Sequence, residues 1–347
     1  MATGTPSSIT FLHSHPWVNM LSRWDAAWYV EIARDGYRYE PGVPSNAAFL
    51  PLYPLLIRAI RALLFLPAND YWWLVVAIAL SNVALLIGLT YFRALLAMDF
   101  AEDLISRTIT YLLIFPTTFF FSGVYSESLF LALTAAAFYY ARTNRWLLSC
   151  ILVALATVTR SQGMIIALPL LIEYLHERNF RLQKIGWNTP DFALVPTALL
   201  AFALFLKLKF GSWTVMFDVQ GVWERHWMWP WHTLAWFLRY APPLSPEHYD
   251  KLDFGFLLVP LGAAIARLTR LRISYSAYIW TSVGFFSCWG MIGSIPRFGL
   301  VIFPLFIVLA LIGARSRAFH LGYVVASSML AALFMVMVFP VELGCLA

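Results

Sequence analysis

Charge is scarce in this chain of 347 residues, where Asp, Glu, Lys and Arg together make up 12% and hydrophobic residues 61%. That balance excludes an ordinary soluble domain and identifies an integral membrane protein. Cysteine is also rare: Cys150, Cys288 and Cys345 have neither paired nor metal-ligand spacing, and the first two lie in apolar runs as small hydrophobes. No glycine-rich nucleotide loop, internal repeat or low-complexity tract occurs. The short alternating segments of a transmembrane barrel are missing too, which leaves helices as the spanning elements.

What the chain has in abundance is long apolar runs, such as WWLVVAIALSNVALLIGLTYF and HLGYVVASSMLAALFMVMVFPVE. Each is long enough to cross a hydrocarbon core roughly 30 Å thick. Candidate spans fall near residues 72–92, 105–121, 127–141, 147–160, 162–177, 192–209, 254–270, 275–293, 298–314 and 319–340. The expected fold is therefore all-α and polytopic, with about ten transmembrane helices in one domain over residues 1–347. Within it, residues 72–209 and 254–340 hold the helices, and 210–253 form a loop rich in Trp and Pro. Half of the 24 basic residues sit in alternate short connections, at Arg93 and Arg107, Arg142 and Arg145, Arg178 to Lys184, Arg267 to Arg272, and Arg315 and Arg317. By the positive-inside rule these are cytoplasmic. Residues 1–71, 122–126 and 210–253, with the turns around Arg160 and Arg297, then face the other side. The net charge of +6 follows from this topology, with membrane lipid as its partner and no nucleic acid. The segment AAFLPLYPLLIRAIRALLFL, with two prolines and Arg58 and Arg61 three residues apart, is read as an interfacial helix on the outer surface.

On that predicted outer side the rare charges collect at four places: Asp25 in SRWDAAWYVEIARDGY, Glu127 in SGVYSES, Arg160 in TRSQG and Arg297 in SIPRFG. An ionisable group near the bilayer centre costs roughly 3 kcal/mol to insert and usually faces a cavity or a partner. Carboxylates and arginines around an outward cleft suit sugar transfer from a lipid-linked phosphate. A carboxylate takes the proton of the attacking hydroxyl, as in an inverting glycosidase, and arginine forks hold the departing phosphate. The external loops contain no Asp-x-Asp pair, and the His and Glu residues lack metal-ligand spacing, so no metal and no other cofactor is expected. The rival reading is a transporter or flippase of lipid-linked sugars, which would line a polar path to both faces.

The ordered motifs RWDAAWYVEIARDGY, AFLPLYPLLIR, FPTTFFFSGVYSESLFLAL and ATVTRSQG resemble the PIG-V family of mannosyltransferases over roughly residues 22–177, and SIPRFGLVIFP resembles a late motif of its prokaryotic relatives. The resemblance implies a GT-C glycosyltransferase in a prokaryotic plasma membrane. Such an enzyme takes mannose from a polyprenyl- or dolichyl-phosphate carrier on the extracytoplasmic face and passes it to a lipid or glycan acceptor. It implies Asp25 as the general base, with Arg23, Trp24 and Trp28 shaping the pocket, or else forming an interfacial aromatic belt. Arg160 and Gln162 are the first choice for the donor phosphate, with Gly163 permitting close backbone approach. Tyr125, Ser126 and Glu127 are candidates for sugar or acceptor hydroxyls, Ser126 alternatively capping the helix that Glu127 begins. Arg297 either holds phosphate or pairs with Glu127 or Asp25. Arg225, within the aromatic run VQGVWERHWMWPWH, is a further pocket candidate. The resemblance implies a membrane helix before RWDAAWY where this chain has a polar segment, so the expectation is either a reading frame that begins upstream or a misinserted, inactive product.

Overall fold

A computed structural model describes residues 15–186, 189–222, 227–240, 255–256, 258–260, 262, 271–288 and 295–338. Among these the chain is helices and turns, without a β-strand. It opens with a short helix, α1 (Pro16–Met20), then α2 (Ala26–Asp35) and α3 (Leu52–Leu63). The long helix α4 (Asp70–Leu96) follows, started by the Asn69 side chain, which accepts a hydrogen bond from the Trp72 amide at 3.1 Å. Next come α5 (Glu102–Leu113), α6 (Glu127–Arg142), α7 (Trp146–Thr157), α8 (Gly163–Glu177) and α9 (Leu194–Phe210). After α10 (Val215–Val222) and α11 (Pro230–Tyr240), the last helices are α12 (Ile273–Ser287), α13 (Ile295–Gly299), α14 (Phe303–Arg315) and α15 (Arg317–Val338).

Among the described residues, three helical segments are long and apolar enough to cross a membrane alone: Asp70–Leu96, Thr189–Phe210 and Arg317–Met335. Most other predicted spans fold as helices of 12 to 16 residues, from α5 and α7 at the short end to α6 at the long end. The sequence pattern overstates these lengths because it runs through breaks made by prolines and polar turns. The span expected at 105–121 stops at Leu113, ahead of Pro116, and resumes as a 3-10 turn, Thr118–Phe121. The span expected at 298–314 starts at Phe303, with Pro304 in its first turn. The expected span at 254–270 falls largely outside the described residues.

Helix α6 is the centre of the bundle: thirteen of its residues are buried, Glu127 among them, and it packs on α4, α7 and α8. At Gly88 of α4 an added Cβ would come within 3.1 Å of the Ala132 backbone, so the two helices meet where a glycine lets them. Helix α3 behaves as an amphipathic surface helix. It buries Tyr53, Pro54 and Ile57, while Leu55 and Leu63, with Leu64 and Phe65 just beyond, are exposed. Its two arginines turn back onto the protein. Arg58 donates to the carbonyls of Ala33 and Arg34 at the end of α2, and Arg61 donates to Pro67 O at 3.1 Å while lying over the Trp73 ring.

Candidate active site

Four chain segments bring their charges to one end of the bundle. Asp25 stands at the N-cap position of α2, and its side chain makes no capping bond there. Glu127 begins α6, Arg160 lies in the turn between α7 and α8, and Arg297 belongs to α13. The Arg297 guanidinium pairs with both carboxylates, Nη1 to Asp25 Oδ2 and Nε to Glu127 Oε1. Arg160 Nη1 reaches the same Glu127 oxygen at 2.6 Å. Two arginines and two carboxylates therefore meet within one hydrogen-bonded group. Burial grades them: the Glu127 side chain is 0% exposed, Arg160 7%, Arg297 10% and Asp25 29%. Asp25 is thus the member that opens to the outside of the cluster.

The local sequence explains this arrangement. The turn TRSQG closes tightly because Gly163 has no side chain: an added Cβ would sit 2.3 Å from the Thr157 amide nitrogen. The close backbone approach at Gly163 is thus to the last turn of α7, and it aims Arg160 inward. Gln162 Oε1 accepts from Arg160 Nε at 3.0 Å, so its amide oxygen orients the arginine. Ser126 makes no side-chain cap for α6. Its hydroxyl instead accepts from Arg160 Nη1 at 3.2 Å and shares a 2.9 Å hydrogen bond with the Tyr29 hydroxyl. Tyr125 donates to the Arg23 carbonyl at 2.6 Å, so Arg23 enters through its backbone, and the Arg297 guanidinium lies 4.7 Å from the Tyr125 ring and 5.0 Å from that of Phe120. Trp24 has a left-handed backbone, φ 49°, immediately before Asp25, and its ring stacks on Phe120 at 6.1 Å. Trp28 is buried against Phe49, 6.0 Å away, with Arg38 over its ring. Arg225 lies outside the described residues.

Glu31 and Asp35 are separated from the cluster: Glu31 is buried with Arg38, and Asp35 pairs with Arg34 at 2.9 Å. Three participants escape a reading of charges alone, namely Tyr29, Phe120 and Phe298, whose ring lies 5.5 Å from the Arg160 guanidinium. For Tyr29 the signal was its place one helical turn beyond Asp25. Burial pushes the Tyr29 and Tyr125 hydroxyls above the usual tyrosine range, so both act as neutral hydrogen-bonding groups. Burial opposes the charge of Arg297, but Glu127 and Asp25 outweigh it and raise its pKa. The group can do two things chemically: accept a proton at a half-open carboxylate, and hold an anion between two permanently charged guanidiniums.

The helical architecture corresponds to that of a known structure, the crystal structure of ArnT from Cupriavidus metallidurans bound to undecaprenyl phosphate. The match has a TM-score of 0.53 and 14% identity, over 94% of this chain and 71% of that one. The fold is accordingly that of the GT-C glycosyltransferases, in an integral membrane protein. The sequence profile of the mannosyltransferase (PIG-V) family matches residues 2–210, and the chain belongs to that family. It is similar to the GPI alpha-1,6-mannosyltransferase 2 of Homo sapiens, with 30% identity over 165 residues, and of Mus musculus, with 33% over 157. Each match covers 42% of this chain and 30% of the relative, so the alignment spans under a third of the curated proteins' length.

Proposed function

We propose that this protein is an inverting mannosyltransferase that moves mannose from a polyprenyl-phosphate carrier to a hydroxyl of a lipid or glycan acceptor, on the extracytoplasmic face of a prokaryotic plasma membrane. The observation that carries the reading is the meeting of Asp25, Glu127, Arg160 and Arg297, from four distant segments, through Arg297 and Glu127. In this scheme Asp25 takes the acceptor proton as the hydroxyl attacks the anomeric carbon. Arg160 and Arg297 stabilise the charge that gathers on the departing lipid phosphate. Tyr125, Ser126 and Glu127 position these groups, and Trp24 borders the entrance. Family membership supports mannose as the sugar. The acceptor is left at the level of a hydroxyl-bearing lipid or glycan.

A further buried ionic group lies at the other end of α8. Glu173 is fully buried near the far end of α8, held by Arg272 and Ser274. Between Gln162 and Glu173 the core-facing stripe of α8 is Gly163, Ile166, Pro169 and Leu170. Along α8 itself about 15 Å of apolar residues separates the two polar groups, while Thr134 and Tyr278 are buried polar residues on neighbouring helices.

Transfer of labelled mannose from polyprenyl phosphate mannose, in membranes containing the wild type or Asp25→Asn, tests the proposal. The variant should lose at least about a hundredfold in rate. Equal rates would remove Asp25 as the base, and no transfer by the wild type from any lipid-linked sugar would favour the transporter.

A further inference from the structure

The charge balance of the site raises a difficulty for donor binding. Two carboxylates already satisfy two guanidiniums, and Arg160 is further engaged by Gln162 and Ser126. A donor phosphodiester brings one more negative charge to a group that is neutral when empty. Something must yield, and the structure indicates which contact. Glu127 has no solvent exposure and serves both arginines, so stripping it of a guanidinium would leave a buried anion uncompensated. Asp25 is 29% exposed and can exchange its arginine for water. Arg297 is also held by the rings of Phe120 and Tyr125, contacts separate from its carboxylate partners.

We propose that Asp25 and the donor's phosphate compete for Arg297, so that Asp25 becomes free to act as a base only when a lipid phosphate has taken its arginine. This inference rests on the proposed function, and it adds a compulsory order in which the phosphate-bearing donor binds before the acceptor is activated. It also orders the departure. As the acceptor oxygen bonds to the anomeric carbon, the bond from that carbon to the phosphate oxygen breaks and its electron pair leaves with the phosphate. The acceptor proton passes to Asp25. A protonated Asp25 is neutral and does not reclaim Arg297, so the phosphate product holds the arginine until Asp25 gives its proton to water. An empty site therefore keeps its base masked, which protects against idle activation of hydroxyls. Arg297 is in this sense both a phosphate ligand and a positioning residue for Asp25.

The competition has a signature independent of turnover and of the acceptor's identity. Undecaprenyl phosphate binding is measured on the wild type, Asp25→Asn, Arg297→Gln and the double variant, each in lipid nanodiscs. Removing the competitor should tighten binding, with Asp25→Asn holding the lipid phosphate about tenfold more strongly than the wild type. In the Arg297→Gln background the same substitution should change affinity by less than about twofold. Asp25→Ser, which also deletes the charge, should show the same pattern and guards against a folding defect peculiar to one variant. Unchanged or weaker binding in Asp25→Asn would overturn the competition, as would an equal gain in both backgrounds, which marks simple repulsion. Absence of binding by the wild type and by Asp25→Asn alike would overturn the phosphate assignment itself. Tighter binding by Asp25→Asn, with no mannose transfer by the wild type, would keep the competition and remove the proposed sugar chemistry.

Discussion

Glu127 shows how much one side chain can hold in an apolar protein. It is fully buried, one of its oxygens receives both Arg160 and Arg297, and the other has no hydrogen-bond partner among the described residues. Replacing it by Gln removes the charge that compensates two desolvated guanidiniums. Glu127→Gln should therefore lower stability by about 3 kcal/mol, read as an earlier thermal or denaturant midpoint in detergent. Asp25, Glu127, Arg160 and Arg297 were legible in the sequence because a charge in an apolar setting demands an explanation. Tyr29, one tyrosine among 16, carries no charge to mark it, and only its place one helical turn beyond Asp25 points to it. Trp28 packs on Phe49 beneath the Arg38 guanidinium, contacts that a reading of charges does not reach.

Among the elements, the α7–α8 turn has the most exacting geometry. Gly163 abuts the Ala156 carbonyl carbon and the Thr157 amide so closely that a methyl group must displace backbone, and no flexible side chain is there to give way. Gly163→Ala is expected to cost about 2 kcal/mol or more and to disturb the aim of Arg160. The check is a thermal midpoint measured beside undecaprenyl phosphate affinity, both of which should fall. Hydropathy marked the apolar helices among the described residues but not their ends, and it read as a loop the segment that holds α10 and α11. Apolar composition continues through Pro116, through the 3-10 turn Thr118–Phe121 and up to Phe303, so a window average cannot register where the backbone stops being helical. The amphipathic character of α3 was legible, whereas the use of Arg58 and Arg61 as ties to α2 and to Pro67 was not, because those partners are carbonyls that any sequence would offer.

For the whole molecule, α8 joins two ionic groups at opposite ends of the bundle, the candidate active site and the Glu173 group with Arg272 and Ser274. Glu173 sits on the same buried stripe as Ile166 and Leu170, a register visible in the sequence, but a partner about 100 residues away in α12 is a tertiary fact. Glu173→Ala should destabilise the protein by about 3 kcal/mol while leaving the affinity for undecaprenyl phosphate within about twofold of the wild type. Parallel unfolding and binding curves would separate the two effects, and an equal loss in both would show the ends to be coupled. A different kind of connection runs through α2, which has Asp25 at its start and is gripped by Arg58 of α3 at its finish. Ten residues of helix make a rod about 15 Å long. Turning that rod by about 10° about its gripped end sweeps the carboxylate by almost 3 Å, against a tolerance of about 1 Å for reacting groups. Seven of the ten residues of α2 are buried against the bundle and Arg58 holds its finish, so this rod is clamped along its length and keeps the carboxylate at its start within that tolerance.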